Sequence, residues 1–565
     1  MKMNRAYVSA PKRGDKSRTS AICIWFLLLI IIIQMAVVLF WVTKRENYFN
    51  DELYSLGYAQ SYTFEPKKQG YIYQSPEWEY ETWIENRILK DQLEVTKEES
   101  LLSQPPLTGI KMLLTRRNYH GILNILMSVF SPDRISMYPG AIFNILLFLF
   151  TQLLVFRISR ELTGRDIPSI LAVLMYGFST MAVNMTLYIR FYALVIFFLM
   201  AAVRLHQIMW RTDHFWRNEM LTFASMTLLY LAMKNSELAF VFGGALIFSY
   251  VLGLLAKKQS GKALCYVLTV VPVGLLYLGR KPYYLTILLH PENYTEKGWP
   301  INVMANSVLN VNAQMLLDNT NKYLNWFVDG LLGSRIVFWG FLGLLLLMFD
   351  LLLFKQVQQP EAAQPEKRGE RGFNRVIVGV VVIYFLFALL TSFPAKRYMS
   401  FLFPLITILL WSAVSFLTEN GKTGKLALLA CAALTLYGVL SQQVFNRHIS
   451  YIYPDDKKAI QAVEDSGVED AILIFADVFM GEHAIYDCIS IMPDSARIYP
   501  VDRENNAIDP DTCPDQMLVW IKDGVDFRHY VEELKTGDYE IKRIGSTHIS
   551  DIYTAKRISK LEDRA

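Results

Sequence analysis

The chain has 565 residues, of which 53% are hydrophobic and 19% are charged, and its mean hydropathy is +0.25. Soluble domains carry about 25% charged residues. The apolar residues form blocks such as Ala21–Trp41, which holds no charge and is long enough to cross a hydrocarbon core of about 30 Å. This pattern predicts an α-helical polytopic membrane protein and excludes a soluble enzyme or a nucleic-acid-binding protein.

Eleven apolar segments are predicted to span the membrane, several of them near the lower limit of about 17 residues. They cover residues 21–42, 135–157, 167–185, 187–209, 218–234, 237–256, 262–279, 334–354, 375–392, 399–417 and 425–443. Residues 1–20 are basic, so the positive-inside rule predicts a cytoplasmic N-terminus. The first apolar run exceeds the core of a signal peptide, which has about 7–15 residues, and we expect an uncleaved anchor.

This orientation divides the chain into a membrane domain, residues 21–445, and an extracytoplasmic domain, residues 446–565. Two large outer loops are expected at 43–134 and 280–333, and a polar cytoplasmic linker at 356–374. The net charge of +4 is distributed unevenly along the chain. Residues 446–565 hold 24 acidic and 14 basic residues, a net charge of −10, so residues 1–445 carry a net charge of +14. A basic membrane domain and an acidic outer domain are therefore distinct parts.

The C-terminal part has the pattern of a small α/β domain. Helices are predicted near Asp455–Glu464 and Phe527–Lys535, and strands near Ala471–Ala476, Met517–Ile521, Tyr539–Ile544 and Ile552–Ala555. No glycine-rich phosphate loop accompanies them, which argues against a nucleotide site. Cys488 and Cys513 could form a disulfide or remain two free thiols, and the sequence leaves both alternatives open.

The first outer loop begins with two acids, Asp51 and Glu52, followed by Tyr54. One interpretation is helix capping, because acids in a first turn interact favourably with the helix dipole. The other is a carboxylate held at the membrane surface as a general base. The two interpretations are compatible, because a helix start holds its acids rigidly.

Three further features lie on the predicted outer side. His120 begins an apolar stretch too short to span, which we expect to lie along the interface. Arg190 lies at the outer end of a span, where it could snorkel to headgroups or face the bundle interior. Lys396 and Arg397 oppose the inside bias of the other loops, and such a pair favours binding of an anion such as a lipid phosphate.

A carboxylate and several cations at one membrane level suit attack on a sugar carried by a lipid phosphate. The order of these motifs resembles the GT-C superfamily of integral-membrane glycosyltransferases, which includes protein O-mannosyltransferases, aminoarabinose transferases and Rgt-type transferases. Asp51-Glu52 with Tyr54 is similar to the acidic motif of that family. Tyr119–Leu126 is similar to its His-Pro-Pro-Leu segment, Arg190–Leu194 to its Arg-x-Tyr-Ala-Leu helix start, and Arg397-Tyr398 with Pro404 to its Arg-Tyr…Pro segment.

The resemblance implies roles for these residues. Asp51 would be the catalytic carboxylate and Glu52 would support it. Arg190 and Arg397, with Lys396 and Tyr398, would hold a polyprenyl phosphate. Tyr54, His120 and Tyr192 would line the substrate cavity, although Gly121-Ile122 replaces the two family prolines after His120.

The implied activity is inverting transfer of a sugar from a polyprenyl-phosphate donor to an envelope glycan, lipid or protein at the outer face. A polytopic transporter or flippase, or a polysaccharide polymerase or ligase, is the alternative. A transporter would show charges within spans and internal repeats, and neither is evident. No particular cofactor is predicted and no metal ligands are assigned, because Glu77, Glu79 and Glu81 alternate too closely for a clear ligand set. A divalent metal remains an open alternative, because some members of the family use one.

Overall fold

Each apolar segment predicted to span the membrane coincides largely with helix in the computed structural model. The model describes residues 21–60, 82–280, 312–358, 368–390, 395–418, 421–446, 449–475, 487–502, 508, 510–522, 532 and 534–558. The helices are α1 (Ala21–Thr43), α2 (Asn50–Gln60), α3 (Asn86–Lys90), α4 (Pro106–Thr115), α5 (Asn118–Phe130), α6 (Tyr138–Thr163), α7 (Asp166–Gly177), α8 (Thr180–Leu187), α9 (Tyr192–Arg211), α10 (Phe215–Asn235), α11 (Leu238–Ala256), α12 (Ser260–Arg280), α13 (Ala313–Phe327), α14 (Arg335–Gln358), α15 (Arg368–Leu389), α16 (Lys396–Met399), α17 (Phe403–Leu417), α18 (Gly421–Leu440) and α19 (Asp456–Ser466).

Within the described ranges, six helices are long and apolar enough to cross a membrane, and the number rises to eight if two bent pairs each form one span. The predicted count of eleven is therefore not confirmed. The α17 helix has only 15 residues, and α10 carries Arg217, Glu219 and Lys234. The predicted polar linker at 356–374 is helical where it is described, because α14 ends at Gln358 and α15 begins at Arg368.

One of the bent pairs turns by 91° between the segments Ala313–Leu332 and Arg335–Phe349. Gly333 lies at this break with a φ of 76°, a left-handed conformation that glycine adopts without the steric cost of a side chain. A Cβ atom there would lie 2.4 Å from Cγ of Gln442 and 2.6 Å from the carbonyl oxygen of Gly438. The glycine therefore permits both the turn and the close approach of α18.

We expect Gly333→Ala to lower the free energy of unfolding by at least about 1–2 kcal/mol, the cost of a left-handed alanine. Gly343→Ala is the matched control within α14, because a Cβ atom there meets nothing within 4 Å and alanine favours a helix. Thermal unfolding of the purified protein in detergent compares the two. Equal midpoints would show that the backbone at Gly333 is not constrained.

The α/β domain contains a six-stranded sheet with the order β1-β3-β2-β4-β6-β5. The strands are β1 (Ile84–Glu85), β2 (Asp470–Phe475), β3 (Arg497–Asp502), β4 (Gln516–Lys522), β5 (Tyr539–Ser546) and β6 (Ser550–Arg557). The central strands β3, β2 and β4 are parallel, and β1, β6 and β5 are added in antiparallel fashion. The helix near 455–464 and the four predicted strands are present, β3 was not predicted, and the helix predicted at 527–535 lies mostly outside the described residues.

The edge strand β1 comes from the predicted first outer loop, far from the rest of the sheet in sequence. It pairs antiparallel with β3, with Ile84 opposite Ile498. Next to it, the side-chain Nδ2 of Asn86 lies 2.9–3.1 Å from the carbonyl oxygens of Ile489, Met492 and Pro493. The first loop is thus part of the α/β domain.

Cys488 and Cys513 are both free and buried, so the disulfide alternative is wrong. They pack in two different hydrophobic clusters, Cys488 in one with Leu473 and Cys513 in the other with Ile474. The two β2 residues are adjacent in sequence, and alternate residues of a strand face opposite sides of a sheet. The sheet therefore separates the two thiols.

Candidate functional site

The Asp51 carboxylate lies in the first turn of α2, eight residues after the end of α1 at Thr43. Its Oδ2 atom accepts hydrogen bonds from the hydroxyl of Tyr188 and from Nη1 of Arg397, at 2.9 Å. Its Oδ1 atom lies 3.7 Å from Nη2 of Arg190. Asp51, Arg190 and Arg397, three residues predicted for the site, therefore converge from three distant parts of the chain.

Arg190 lies in the short segment between α8 and α9. Its Nη1 donates to the hydroxyl of Ser55 at 3.4 Å, and its guanidinium is 5.4 Å from the ring centroid of Phe191. Burial works against its charge, but Asp51, together with Tyr188 and Tyr192, raises the pKa of Arg190. Arg190 therefore stays a cation although its side chain is only 13% exposed.

Arg397 lies in α16, and its side chain is 26% exposed. Burial opposes its charge, but Tyr192, Tyr188 and Asp51 outweigh the penalty and raise the pKa of Arg397. The same guanidinium lies 5.7 Å from the ring centroid of Tyr398. Arg397 thus reaches Asp51 while it keeps part of its surface open to a ligand.

Glu52 faces away from this cluster and has no exposed surface. It forms an ion pair with the equally buried Arg45 and accepts hydrogen bonds of 2.7 Å from the backbone N–H groups of Phe49 and Ile189. Arg45 also donates to the carbonyl oxygen of Leu187 at 2.8 Å. Glu52 therefore joins the Asp51 segment to the segment that carries Tyr188 and Arg190, and we infer a positioning role for it.

Three tyrosine rings stack beside Asp51. The Tyr188 ring lies 5.6 Å from that of Tyr192, at 13°, and 4.5 Å from that of Tyr451, at 0°. Phe49 packs edge-on against Tyr188 and Tyr451. Burial raises the pKa of Tyr188 well above its ordinary value, so the phenol keeps its proton and remains a donor to Asp51.

Tyr54 lies in α2, and His120 lies in the neighbouring helix α5. His120 is 2% exposed and stacks on Tyr58, with ring centroids 5.2 Å apart. Burial, followed by the charges of Arg117 and Arg190, lowers the pKa of His120 well below its ordinary value, so this imidazole is neutral. Tyr54 is half-buried against the hydrophobic core. The structure thus gives His120 no charge to offer a substrate.

Lys396 and Tyr398 flank Arg397 but have other surroundings. Burial lowers the pKa of Lys396, and the charge that counteracts this effect is that of Asp329. Tyr398 is buried, and its carbonyl oxygen accepts a hydrogen bond from the Tyr384 hydroxyl at 2.8 Å. Of the adjacent cations Lys396 and Arg397, Arg397 contacts Asp51.

A second polar cluster, named here the hub, consists of Asn47, Asp456, Asp487, Thr547 and His548. Its Asp456, Asp487 and His548 are a group of described residues that could hold a metal ion, with ligand atoms within 4.8 Å of one another. Such a group was not expected from the sequence.

The hub's carboxylates already accept hydrogen bonds. The Asn47 amide donates to both aspartates at 2.8 Å, His548 donates to Asp456 through its backbone and faces it with Nδ1, and Thr547 donates to Asp487 at 2.6 Å. The amide nitrogen lies between the two carboxylates, where a cation would have to bind. The donor set therefore fits a network of hydrogen bonds better than a metal, and no chemical step is assigned to a metal here.

Sequence reasoning missed Arg45, Tyr188 and Tyr451. Arg45 follows the first span on the predicted outer side, the same signal that singled out Lys396 and Arg397. Tyr188 lies inside the motif that carries Arg190, but an aromatic residue at a span end ordinarily belongs to the interfacial belt. Tyr451 has no local signal, because only the fold brings it to Tyr188.

No family model and no curated protein matches this sequence. Among solved structures, ArnT from Cupriavidus metallidurans bound to undecaprenyl phosphate is similar, with a TM-score of 0.50, 9% identity and coverage of 94% of this chain and 98% of that one. Its apo form gives a TM-score of 0.49 at 8% identity, with the same coverage of both chains. An oligosaccharyltransferase from Archaeoglobus fulgidus in complex with Zn and sulfate gives a TM-score of 0.43 at 8% identity, with coverage of 92% of this chain and 72% of that one.

ArnT belongs to the GT-C superfamily. The likeness to its undecaprenyl-phosphate complex extends over almost the whole of both chains. This protein therefore has the GT-C fold that the order of its motifs predicted, and it is a multi-pass membrane protein.

Proposed function

We propose that the protein is a glycosyltransferase that moves a sugar from a polyprenyl-phosphate donor to an acceptor hydroxyl at the outer face of the membrane. The observation that supports it most directly is the Asp51 carboxylate held between Arg190 and Arg397. ArnT, which shares the fold, was crystallised with undecaprenyl phosphate. The acceptor would be an envelope glycan, lipid or protein, and the basic loops predicted for the inner side favour a cytoplasmic N-terminus.

The reaction needs one base and one anion site. Asp51 would take the proton of the acceptor hydroxyl as its oxygen attacks the anomeric carbon. The bond from that carbon to the phosphate oxygen breaks, and its electron pair leaves with the polyprenyl phosphate. A single in-line displacement inverts the anomeric centre. The departing phosphate needs no proton, so one carboxylate is sufficient.

The charge of the described cluster suits this substrate. Arg190 and Arg397 face Asp51, so the cluster has one positive charge in excess, and the buried pair of Arg45 with Glu52 adds no net charge. A polyprenyl-phosphate sugar is a phosphodiester with one negative charge, and its phosphate gains charge as the sugar leaves. Guanidinium groups bind phosphate oxygens through paired donors. Arg190 and Arg397 would therefore hold the product side of the reaction more strongly than the donor.

Arg397→Ala is expected to raise the KM for the lipid donor by about 10–100-fold, since hydrogen bonds to charged groups contribute about 1.5–3 kcal/mol. The measurement is release of undecaprenyl phosphate from undecaprenyl-phosphate mannose, glucose and aminoarabinose, in proteoliposomes with an envelope extract as acceptor. Arg543→Ala, which removes an exposed arginine of the α/β domain, is the control.

An unchanged donor KM in Arg397→Ala would remove the phosphate role. Absence of release from every donor by the wild type would contradict the proposed function.

A further inference from the structure

The segment that joins the membrane domain to the α/β domain contains two tyrosines in an unusual backbone conformation. Tyr451 has a φ of 67° and Tyr453 a φ of 44°. Left-handed backbone is uncommon for residues other than glycine, and it persists where the surroundings fix it. Both side chains are held by ring contacts, that of Tyr451 with Tyr188 and that of Tyr453 with His548.

The Tyr451 ring faces the Asp51 site. It stacks face to face on Tyr188, with centroids 4.5 Å apart, and its edge contact with Phe49 spans 5.3 Å. The Tyr188 hydroxyl in turn donates a hydrogen bond to Asp51. The orientation of the Asp51 carboxylate thus depends on a ring on which Tyr451 stacks.

The Tyr453 ring faces the α/β domain. It stacks on His548, with centroids 3.6 Å apart at 16°, and His548 belongs to the hub. The hub holds Asn47 through both of its aspartates, and Asn47 lies four residues before Asp51. A second anchor is the backbone N–H of Ser450, which donates to the side chain of Asn184 at 2.8 Å.

We infer that Tyr451 is a positioning residue for Asp51, through which docking of the α/β domain sets the geometry of the transfer site. This inference rests on the proposed function. Tyr451 acts through Tyr188, and the hub fixes the other end of the same segment. The role of the α/β domain is then to complete the site, because the domain holds the segment that covers Tyr188.

The test compares Tyr451→Ala, Tyr451→Phe and Tyr437→Ala in the full chain, with the release assay and donors described above. Tyr451→Ala is expected to lower kcat at least 10-fold and to change the donor KM less than 3-fold, because the base moves while Arg190 and Arg397 remain. Tyr451→Phe keeps the stacking ring and is expected to recover most of kcat. Tyr437 is 41% exposed in α18 and serves as the matched control.

The outcomes distinguish failure of the positioning role of Tyr451 from failure of the proposed function. If the wild type is active and Asp51→Asn is not, an active Tyr451→Ala overturns the positioning role alone, and so does a Tyr451→Phe variant as impaired as the alanine variant. If the wild type releases no undecaprenyl phosphate, the proposed function fails. A structure of Tyr451→Ala then decides the inference: a displaced Asp51 carboxylate supports it, and an unmoved one overturns it.

If Tyr451→Ala does not fold, Tyr451→Leu takes its place with the same expected kcat loss.

Discussion

Asp51→Asn is expected to lower the rate of sugar transfer by about 10²–10⁴-fold, the contribution of a positioned general base. The amide has nearly the volume of the carboxylate and can still accept a hydrogen bond from Tyr188, so the protein should remain folded. It cannot take the proton of the acceptor hydroxyl. The measurement is kcat for release of undecaprenyl phosphate in proteoliposomes, together with the unfolding midpoint in detergent.

Asp133→Asn is a matched control for this change. Asp133 is an exposed residue with a φ of 57°, and asparagine tolerates this conformation as well as aspartate does. We expect wild-type transfer from it. Full activity of Asp51→Asn in folded protein would exclude Asp51 as the base, whatever the fold.

Glu52→Gln is expected to lower the free energy of unfolding by about 3–5 kcal/mol, because it leaves the buried charge of Arg45 without its partner. Burial works against the charge of Arg45, but the charge and the hydrogen bond of Glu52, together with Tyr48 and Tyr453, raise the pKa of Arg45. The double variant Arg45→Met with Glu52→Gln removes the charge and should recover part of the loss. Denaturant unfolding in detergent compares the free energies of unfolding of the purified wild type, Glu52→Gln and the double variant.

An exposed ion pair supplies the comparison for Glu52. Arg543 and Asp551 are 57% and 40% exposed in the α/β domain, so Asp551→Asn should cost less than about 1 kcal/mol. If Glu52→Gln unfolds at the wild-type midpoint but is inactive, Glu52 acts in the chemistry and does not serve as a structural clamp.

The sequence predicted the helices well because a bilayer requires long apolar segments. The number of helices that cross the membrane could not be predicted from hydropathy in the same way. A bend such as that at Gly333 depends on close packing against Gln442 and Gly438. The hydropathy of the sequence does not predict such contacts. The strand β1 was beyond prediction for a similar reason, since two residues give no periodic pattern and their pairing with β3 is a long-range contact.

The charged part of the site was accessible from sequence because cations on the predicted outer side oppose the positive-inside rule. This reasoning singled out Arg397, and applied to Arg45 it would have identified the partner of Glu52. The aromatic part was not accessible. Tyr188 and Tyr451 can be identified as part of the site only from ring contacts between distant segments of the chain.

The central claim is that Asp51, Arg190 and Arg397 form the site at which a sugar leaves a polyprenyl phosphate. The most direct measurement is a structure of the full chain in lipid nanodiscs with undecaprenyl phosphate. The phosphate is expected within hydrogen-bonding distance, about 2.7–3.2 Å, of both guanidinium groups and beside the Asp51 carboxylate. A phosphate bound elsewhere, with Arg397 still directed only at Asp51, would contradict the claim.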